Sequence, residues 1–192
     1  MRRSTPSSAA WLALAISSAA TDASRTAAVT AAVRDPSIAA LLIAKASQAD
    51  ELGVELRIEP DSSLPVLDDE LSTDVATVVG NLVDNAMDAA TTAPDRWVEV
   101  ALGLVDGEVD ILVRDSGAGV PPGMEREVFR RGMSTKSGDE RAAGVGAAGE
   151  RGIGLSLVHL VCTRRGGTVT ATSVGGSAFA ARLPVDPALV RS

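Results

Sequence analysis

Aromatic side chains are scarce: the chain has no tyrosine, two phenylalanines and two tryptophans among 192 residues, although 45% of its positions are hydrophobic. A core must therefore be assembled from Val, Leu, Ile and Ala, and the composition is that of a folded chain, not a disordered one. Cysteine occurs once, as Cys162, so no internal disulfide can form. Within an apolar helical pattern this thiol reads as a small core residue, and a reducing cytoplasm fits. Basic residues are outnumbered, 18 against 25 acidic ones, and the net charge of −7 opposes binding to a nucleic-acid backbone. Any phosphate ligand must be held locally. No apolar run is long enough for a bilayer. The stretch over 9–20 follows Arg2 and Arg3 and contains Trp11, Leu12, Leu14 and Ile16, but it is rich in Ala and Ser and merges into an Ala-rich segment reaching Val33. It reads as a helix rather than a signal peptide or a membrane span, and no direct membrane contact is expected. Neither G-x-x-x-x-G-K-[ST] nor H-R-D nor D-F-G occurs, which sets aside P-loop enzymes and eukaryotic-type protein kinases.

What is present suits one domain with an additional helical segment. Asp35 and Pro36 form a helix cap and a first helical position, opening a helix that Gly53 ends. Alternation over 54–58 predicts a half-buried strand, and a helix is expected over 68–90 from the spacing of Val75, Val78, Val79, Leu82, Ala86 and Ala89. On another face of that helix Asp74, Asn81, Asp84, Asn85 and Asp88 make a polar stripe. Strands over 97–105 and 108–114 are joined by Asp106 and Gly107, a two-residue hairpin signal. A short helix is expected over 124–129, a long loop over 132–149, a helix over 153–165, and closing strands over 168–174 and 178–183.

Two glycine motifs bracket the long loop. Asp115-Ser116-Gly117-Ala118-Gly119 ends the second hairpin strand, and Gly152-Ile153-Gly154-Leu155 opens the next helix. Glycine permits positive φ and close backbone approach, and a helix start offers unpaired N–H groups to phosphate oxygens, so the pair suggests a nucleotide site. Asp115 shares strand parity with Val109, Ile111 and Val113 and is expected to point inward. There its carboxylate can accept a hydrogen bond from adenine's amino group and reject guanine's carbonyl; a turn aspartate that initiates Ser116-Gly117 is the alternative reading. Asn81 and Asn85 lie one turn apart, where an amide oxygen can reach a metal and an amide N–H a phosphate, Asn85 being the candidate magnesium ligand. A solvated polar face is the alternative reading of the same stripe. Ser134, Thr135 and Lys136 supply polar and positive groups to the loop, with Lys136 the preferred phosphate contact. Gly144-Val145-Gly146-Ala147-Ala148-Gly149 fits a dinucleotide fingerprint but follows a charged loop instead of a strand.

Taken in order, N-x-x-x-N-A at Asn81 to Ala86, D-x-G-x-G at Asp115 to Gly119, Phe129 with the Ser134-Thr135-Lys136 lid, and G-x-G-L at Gly152 to Leu155 resemble the catalytic ATP-binding domain of two-component sensor histidine kinases, of the GHKL ATPase superfamily. The wording around Ala40 to Lys45, Gly80 to Ala86, Gly132 to Lys136 and Arg151 to Leu155 is closest to the citrate and C4-dicarboxylate sensor kinases. The resemblance covers about 35–185. It implies an α/β fold, a two-layer sandwich of the Bergerat type with a mixed sheet packed on three helices, here with an extra N-terminal helical segment over 1–34 and a tail over 186–192. Carried over by position, Asn85 binds magnesium, Asn81 and Asp88 line the phosphate side, Asp115 reads adenine and Gly117 and Gly119 shape its pocket. Phe129 anchors the lid of Ser134, Thr135 and Lys136; Gly152, Ile153, Gly154 and Leu155 bring the helix start to the phosphates; Ser177 helps hold the base.

The family phosphorylates a histidine on a dimeric helical hairpin and passes the group to a response regulator. Here the one histidine, His159, falls inside the helix after the second glycine motif. The chain is therefore read as the nucleotide-binding half of a kinase, acting on a histidine outside this chain, with 1–34 a possible remnant of the hairpin and a possible route to a homodimer. ATP and magnesium are the expected ligands, and the native protein is expected to be cytoplasmic in this part, with a possible membrane anchor elsewhere. Water-activating relatives of the gyrase, Hsp90 and MutL kind carry a glutamate four residues before the metal asparagine. That position is Asn81, an amide that cannot act as a base. An anti-sigma-factor-type serine kinase and a non-catalytic ATP-dependent interaction module are the alternatives.

Overall fold

The computed structural model describes residues 26–130, 153–173 and 175–185. The expected lid, with Ser134, Thr135 and Lys136, lies outside the described residues, as do Gly152 and the first 25 positions. Helical residues 26–32 lead into α1 (Pro36–Leu52), followed by β1 (Glu55–Ile58), α2 (Asp69–Ala90), the hairpin β2 (Trp97–Val105) and β3 (Glu108–Asp115), α3 (Gly154–Arg164), and a second hairpin of β4 (Thr168–Ser173) and β5 (Ser177–Pro184). Together the strands form one sheet in the order β1-β2-β3-β5-β4. Only β1 to β2 is a parallel pair, made possible because α2 carries the chain back between them; all other pairs are antiparallel. The sheet is therefore mixed, and the three helices pack on one of its faces, as the α/β sandwich reading required.

Alternation decides which side of the sheet is dry. Val98, Val100 and Leu102 of β2, Val109, Ile111 and Val113 of β3, and Phe179, Ala181 and Leu183 of β5 are all buried against the helices. Opposite them α2 presents Val75, Val78, Val79, Leu82, Val83, Ala86 and Met87, none more than 1% exposed. Each such Val or Leu contributes about 1.5–3 kcal/mol relative to exposure, which is how a chain so poor in aromatics sustains a core. The two phenylalanines sit edge to face, with 6.2 Å between ring centroids, and cap the core at one end.

Cap chemistry sets the helix ends. Asp35 accepts from the Ser37 and Ile38 amides and Asp68 from the Glu70 and Leu71 amides, so Asp68 stands just outside α2 as its cap. Gly53 closes α1 in the left-handed conformation at φ 67°. Asp106 and Gly107 both take positive φ, 52° and 80°, as a tight hairpin between twisted strands demands. The short helix expected over 124–129 is only one 3₁₀ turn, Glu127–Phe129, because Arg130 turns extended directly after it and so few residues cannot nucleate an α-helix. The last strand is longer than expected by one residue at each end, since Ser177 pairs with Ser173 and Pro184 with Glu108.

Asp74 corrects the expected polar stripe. It is 5% exposed rather than solvated, and its carboxylate accepts hydrogen bonds from Arg164 Nη2 at 2.6 Å and from Arg165 Nε. Helical spacing places Asp74 in line with Asn81, but the C-terminal end of α3 lies over that turn of α2. Two guanidinium groups at a helix C-terminus suit the dipole there, and the paired carboxylate tolerates burial. The stripe that faces outward is thus Asn81, Asp84, Asn85 and Asp88.

Candidate functional site

α2 is the floor of the site, and both glycine motifs rest on it. At one end the turn after β3 presses against Ala89: a Cβ added at Gly117 would lie 2.8 Å from the Ala89 Cβ and 2.8 Å from Asp115 Oδ1. At the other end the first residue of α3 presses against Asn81: a Cβ at Gly154 would lie 2.9 Å from Asn81 Oδ1. Between Ala89 and Asn81 the helix runs about 12 Å, and its outward groups over that span are Asn85, Asp84 and Asp88. Only glycine permits either approach without displacing a neighbour.

Asp115 lies under the first turn. It is 1% exposed; Oδ1 accepts from the Gly117 amide at 2.8 Å and from the Ser177 amide at 3.4 Å, while Oδ2 is buried with no hydrogen-bond partner among the described residues. Burial raises its carboxyl above the ordinary aspartate value, and the bonds from Gly117 and Ser177 work against that rise. An inward carboxylate with one oxygen left without a donor is an acceptor waiting for a ligand N–H. The turn reading is also true of the same residue, since the Gly117 bond is an Asx turn; one oxygen makes the turn and the other is left over. Gly176, at φ 141°, has its α-carbon against the Asp115 carbonyl, where a side chain would collide, and this approach delivers Ser177 to Asp115. Gly119 takes φ 82° beside Ser173.

At the α3 end, Ile153 precedes the helix with no side-chain cap, so among the described residues no side chain caps the first-turn N–H groups of α3. Leu155 is half-buried one residue into α3. Asn81 differs in detail from expectation: its amide Nδ2 donates to the Thr77 carbonyl at 2.7 Å, so the group turned toward Gly154 is the oxygen, not the N–H expected to meet a phosphate. Asn85 is half-buried with Asp88 exposed one turn on. Among the described residues no group of three or more His, Cys, Asp or Glu could hold a metal ion. One asparagine oxygen fits a magnesium ion that arrives with phosphates and keeps several waters, and does not fit a resident metal.

Phe129 is buried between Phe179 and His159, 6.2 Å from each ring centre, and so ties the 3₁₀ turn to α3 and β5. His159 itself is exposed on α3. Cys162 is buried, and burial pushes its thiol up to about 11, which suits a core residue and no reactive one. One residue on this face escaped the sequence reading of the site. Lys45, on α1, places its ammonium 2.5 Å from Asp84 Oδ1; the contact spans 39 positions and leaves no local pattern.

Residues 70–187 match the family described as histidine kinase-, DNA gyrase B- and HSP90-like ATPase. Among curated proteins the chain is 38% identical to sensor histidine kinase DpiB of Escherichia coli K12 over 142 residues, covering 72% of this chain and 24% of that protein. It is 34% identical to a probable C4-dicarboxylate sensor kinase of Halalkalibacterium halodurans over 157 residues, 79% of this chain and 28% of that one. The chain thus spans about a quarter of the length of these relatives. Its fold matches the catalytic domain of histidine kinase ThkA at a TM-score of 0.60 and 19% identity, covering 79% of this chain and 93% of that domain. Among the described residues no helix is long and apolar enough to cross a membrane. The family model takes in more than half of the sequence, including α2, both hairpins and α3, and on that ground the chain belongs to the histidine kinase-, DNA gyrase B- and HSP90-like ATPases.

Proposed function

We propose that the chain is the ATP-binding catalytic part of a sensor histidine kinase, which transfers the γ-phosphoryl group of Mg-ATP to a histidine outside this chain and thence to a response-regulator aspartate. The observation that carries this reading is the placing of an unpartnered acceptor at Asp115 and an uncapped helix start at Gly154 at the two ends of one asparagine-bearing helix. Adenine seats on Asp115, Gly117, Gly119 and Ser177, with Phe129 anchoring the lid; the phosphates lie along Asn85, Asp88 and Asn81 toward Ile153, Gly154 and Leu155. Ser134, Thr135, Lys136 and Gly152 complete the phosphate side. Residues 35–185 form the catalytic domain, working in the cytoplasm, and 1–34 belong with the hairpin that bears the acceptor and pairs two copies.

In this chemistry a histidine nitrogen attacks the γ-phosphorus in line, the bond from the bridging oxygen to that phosphorus breaks, ADP leaves and the imidazole gives up its proton. Magnesium, held by Asn85, would neutralise charge on the phosphates when bound. The protein's part is orientation: Asp115 fixes the base, and the α3 amides draw the phosphates toward Asn81. Asn81 offers no base to activate water, so hydrolysis stays slow.

Incubated with labelled Mg-ATP, the chain alone should form no stable phosphoprotein and release phosphate very slowly, and His159→Gln should change neither result. Labelling should appear on a histidine-bearing hairpin domain added to it. Acid-labile label on the chain that disappears in His159→Gln would make His159 the acceptor, and label on an added serine-bearing regulator instead would favour the serine kinase reading.

A matched pair of substitutions tests the stripe. Asn85→Ala should weaken magnesium-dependent ATP binding roughly tenfold, and Asp84→Ala should change it by less than about threefold, because only Asn85 offers the metal a neutral oxygen. Equal losses in titration calorimetry would mean that the metal assignment is misplaced.

A further inference from the structure

We propose that Lys45 is a positioning residue for the nucleotide phosphates, acting through Asp84 by neutralising it and holding it against α1; this rests on the function proposed above. The seam between α1 and α2 advances in the same direction along both helices. Asp35 Oδ1 accepts from Ser72 Oγ at 2.9 Å, the methyls of Leu41 sit 3.7 and 3.9 Å from where a Gly80 Cβ would be, and one turn further Lys45 meets Asp84. The absent side chain at Gly80 lets the helices come close enough for the lysine to arrive. Its side chain is only 15% exposed, and its ammonium bonds Asp84 Oδ1 at 2.5 Å and Gln48 Oε1 at 3.2 Å. The ammonium is poorly hydrated and the Asp84 side chain is half exposed, so the bond is charge-assisted and partly screened by solvent.

The place of the pair on α2 gives it a consequence. Asp84 directly precedes Asn85, and Asn81 and Asp88 lie within one turn of it on either side. Without Lys45 the candidate metal asparagine would stand between two carboxylates at the spot where a polyphosphate has to come in. Like charges at that range oppose the ligand, more so as phosphates are added. Lys45 cancels the Asp84 charge from behind and turns that carboxylate toward α1. Arg164 and Arg165 also reach α2, but about three and four turns earlier, at Asp74 and Glu70. The lysine therefore contributes in proportion to ligand charge and adds nothing for the base.

The test is a double-mutant cycle read by titration calorimetry with ATP, ADP and adenosine. Lys45→Met keeps the packed stem and removes the charge. It should weaken ATP about tenfold, ADP less, and adenosine not at all. Asp84→Asn alone should stay within about twofold of the unaltered chain, and the Lys45→Met/Asp84→Asn double variant should recover to within about twofold as well, because the charge to be cancelled is gone. Failure of the double variant to recover ATP binding would overturn the inference and assign Lys45 a direct phosphate contact. An equal loss for adenosine would overturn it in favour of a purely structural lysine. If the unaltered chain bound neither ATP nor adenosine, the proposed function would fall and this inference with it, whereas normal ATP binding without rescue would sink the inference alone.

Discussion

Asp115→Asn is expected to weaken ATP binding about a hundredfold while making the ligand-free chain more stable by about 1 kcal/mol at neutral pH. Both effects come from the same buried oxygen. Oδ1 is occupied by Gly117 and Ser177, and an asparagine oxygen keeps those bonds; Oδ2 is buried and has no partner among the described residues. Replacing it with an amide NH₂ removes a buried charge but faces a donor with adenine's own amino group. Guanine presents a carbonyl at that position, so the preference for ATP over GTP should collapse in the variant.

The pH dependence of the stability gain follows in sign. Burial raises the Asp115 carboxyl in the folded chain above its unfolded value, so the native state holds that proton more tightly. Stability is then lost as pH rises from the ordinary carboxylate range through the raised folded value, and the full cost is present above it. The advantage of Asp115→Asn should accordingly be largest at neutral pH, raising the melting temperature by about 2–4 °C, and should shrink toward about pH 4. Melting curves across pH and calorimetry with both nucleotides check the two halves separately. Unchanged ATP affinity would remove the adenine assignment, and a gain independent of pH would show that charge burial is not its source.

Asp35→Ala should cost about 4 kcal/mol of stability, more than an ordinary helix cap, which contributes about 1 kcal/mol. The Asp35 carboxylate is 2% exposed and serves four donors from three places in the chain: the Ser37 and Ile38 amides at the start of α1, the Leu67 amide in the loop ahead of α2, and Ser72 Oγ in its first turns. Alanine would leave all four without a partner in a site water does not enter. Because α1 is thereby fastened to α2, the loss should be global and visible in denaturant titration as a shifted midpoint with an unchanged slope. A loss near that of a simple cap would mean that the Leu67 and Ser72 bonds contribute little. Asparagine at the same position should recover part of the loss, since it can serve the amides but not carry the charge.

Much of the local structure could be read before any fold was known, because it depends on neighbours in the chain. The Asp35 cap, the Gly53 stop, the Asp106-Gly107 turn and the inward aim of Asp115 are set by backbone sterics, short-range hydrogen bonding and strand parity, none of which needs a distant partner. The order of the four motifs carried the family, and with it the mixed sheet and three helices. Side-chain environments across elements could not be read in that way. Helical spacing put Asp74 on the stripe with Asn81, yet it is buried and its partners are Arg164 and Arg165, 90 and 91 positions away. Asp84 read as one more member of a polar stripe, yet Lys45 meets it across 39 positions.

The sequence by itself determined most of the elements with their caps and turns, since periodicity and cap chemistry act within a few residues. Only the tertiary structure decided the strand order β1-β2-β3-β5-β4, the meeting of Gly117 with Ala89 and of Gly154 with Asn81 at the two ends of α2, and the approach of Ser177 to Asp115 across 62 positions. Those placements depend on how apolar faces fill space together, a property of the packed whole that no single stretch of chain encodes.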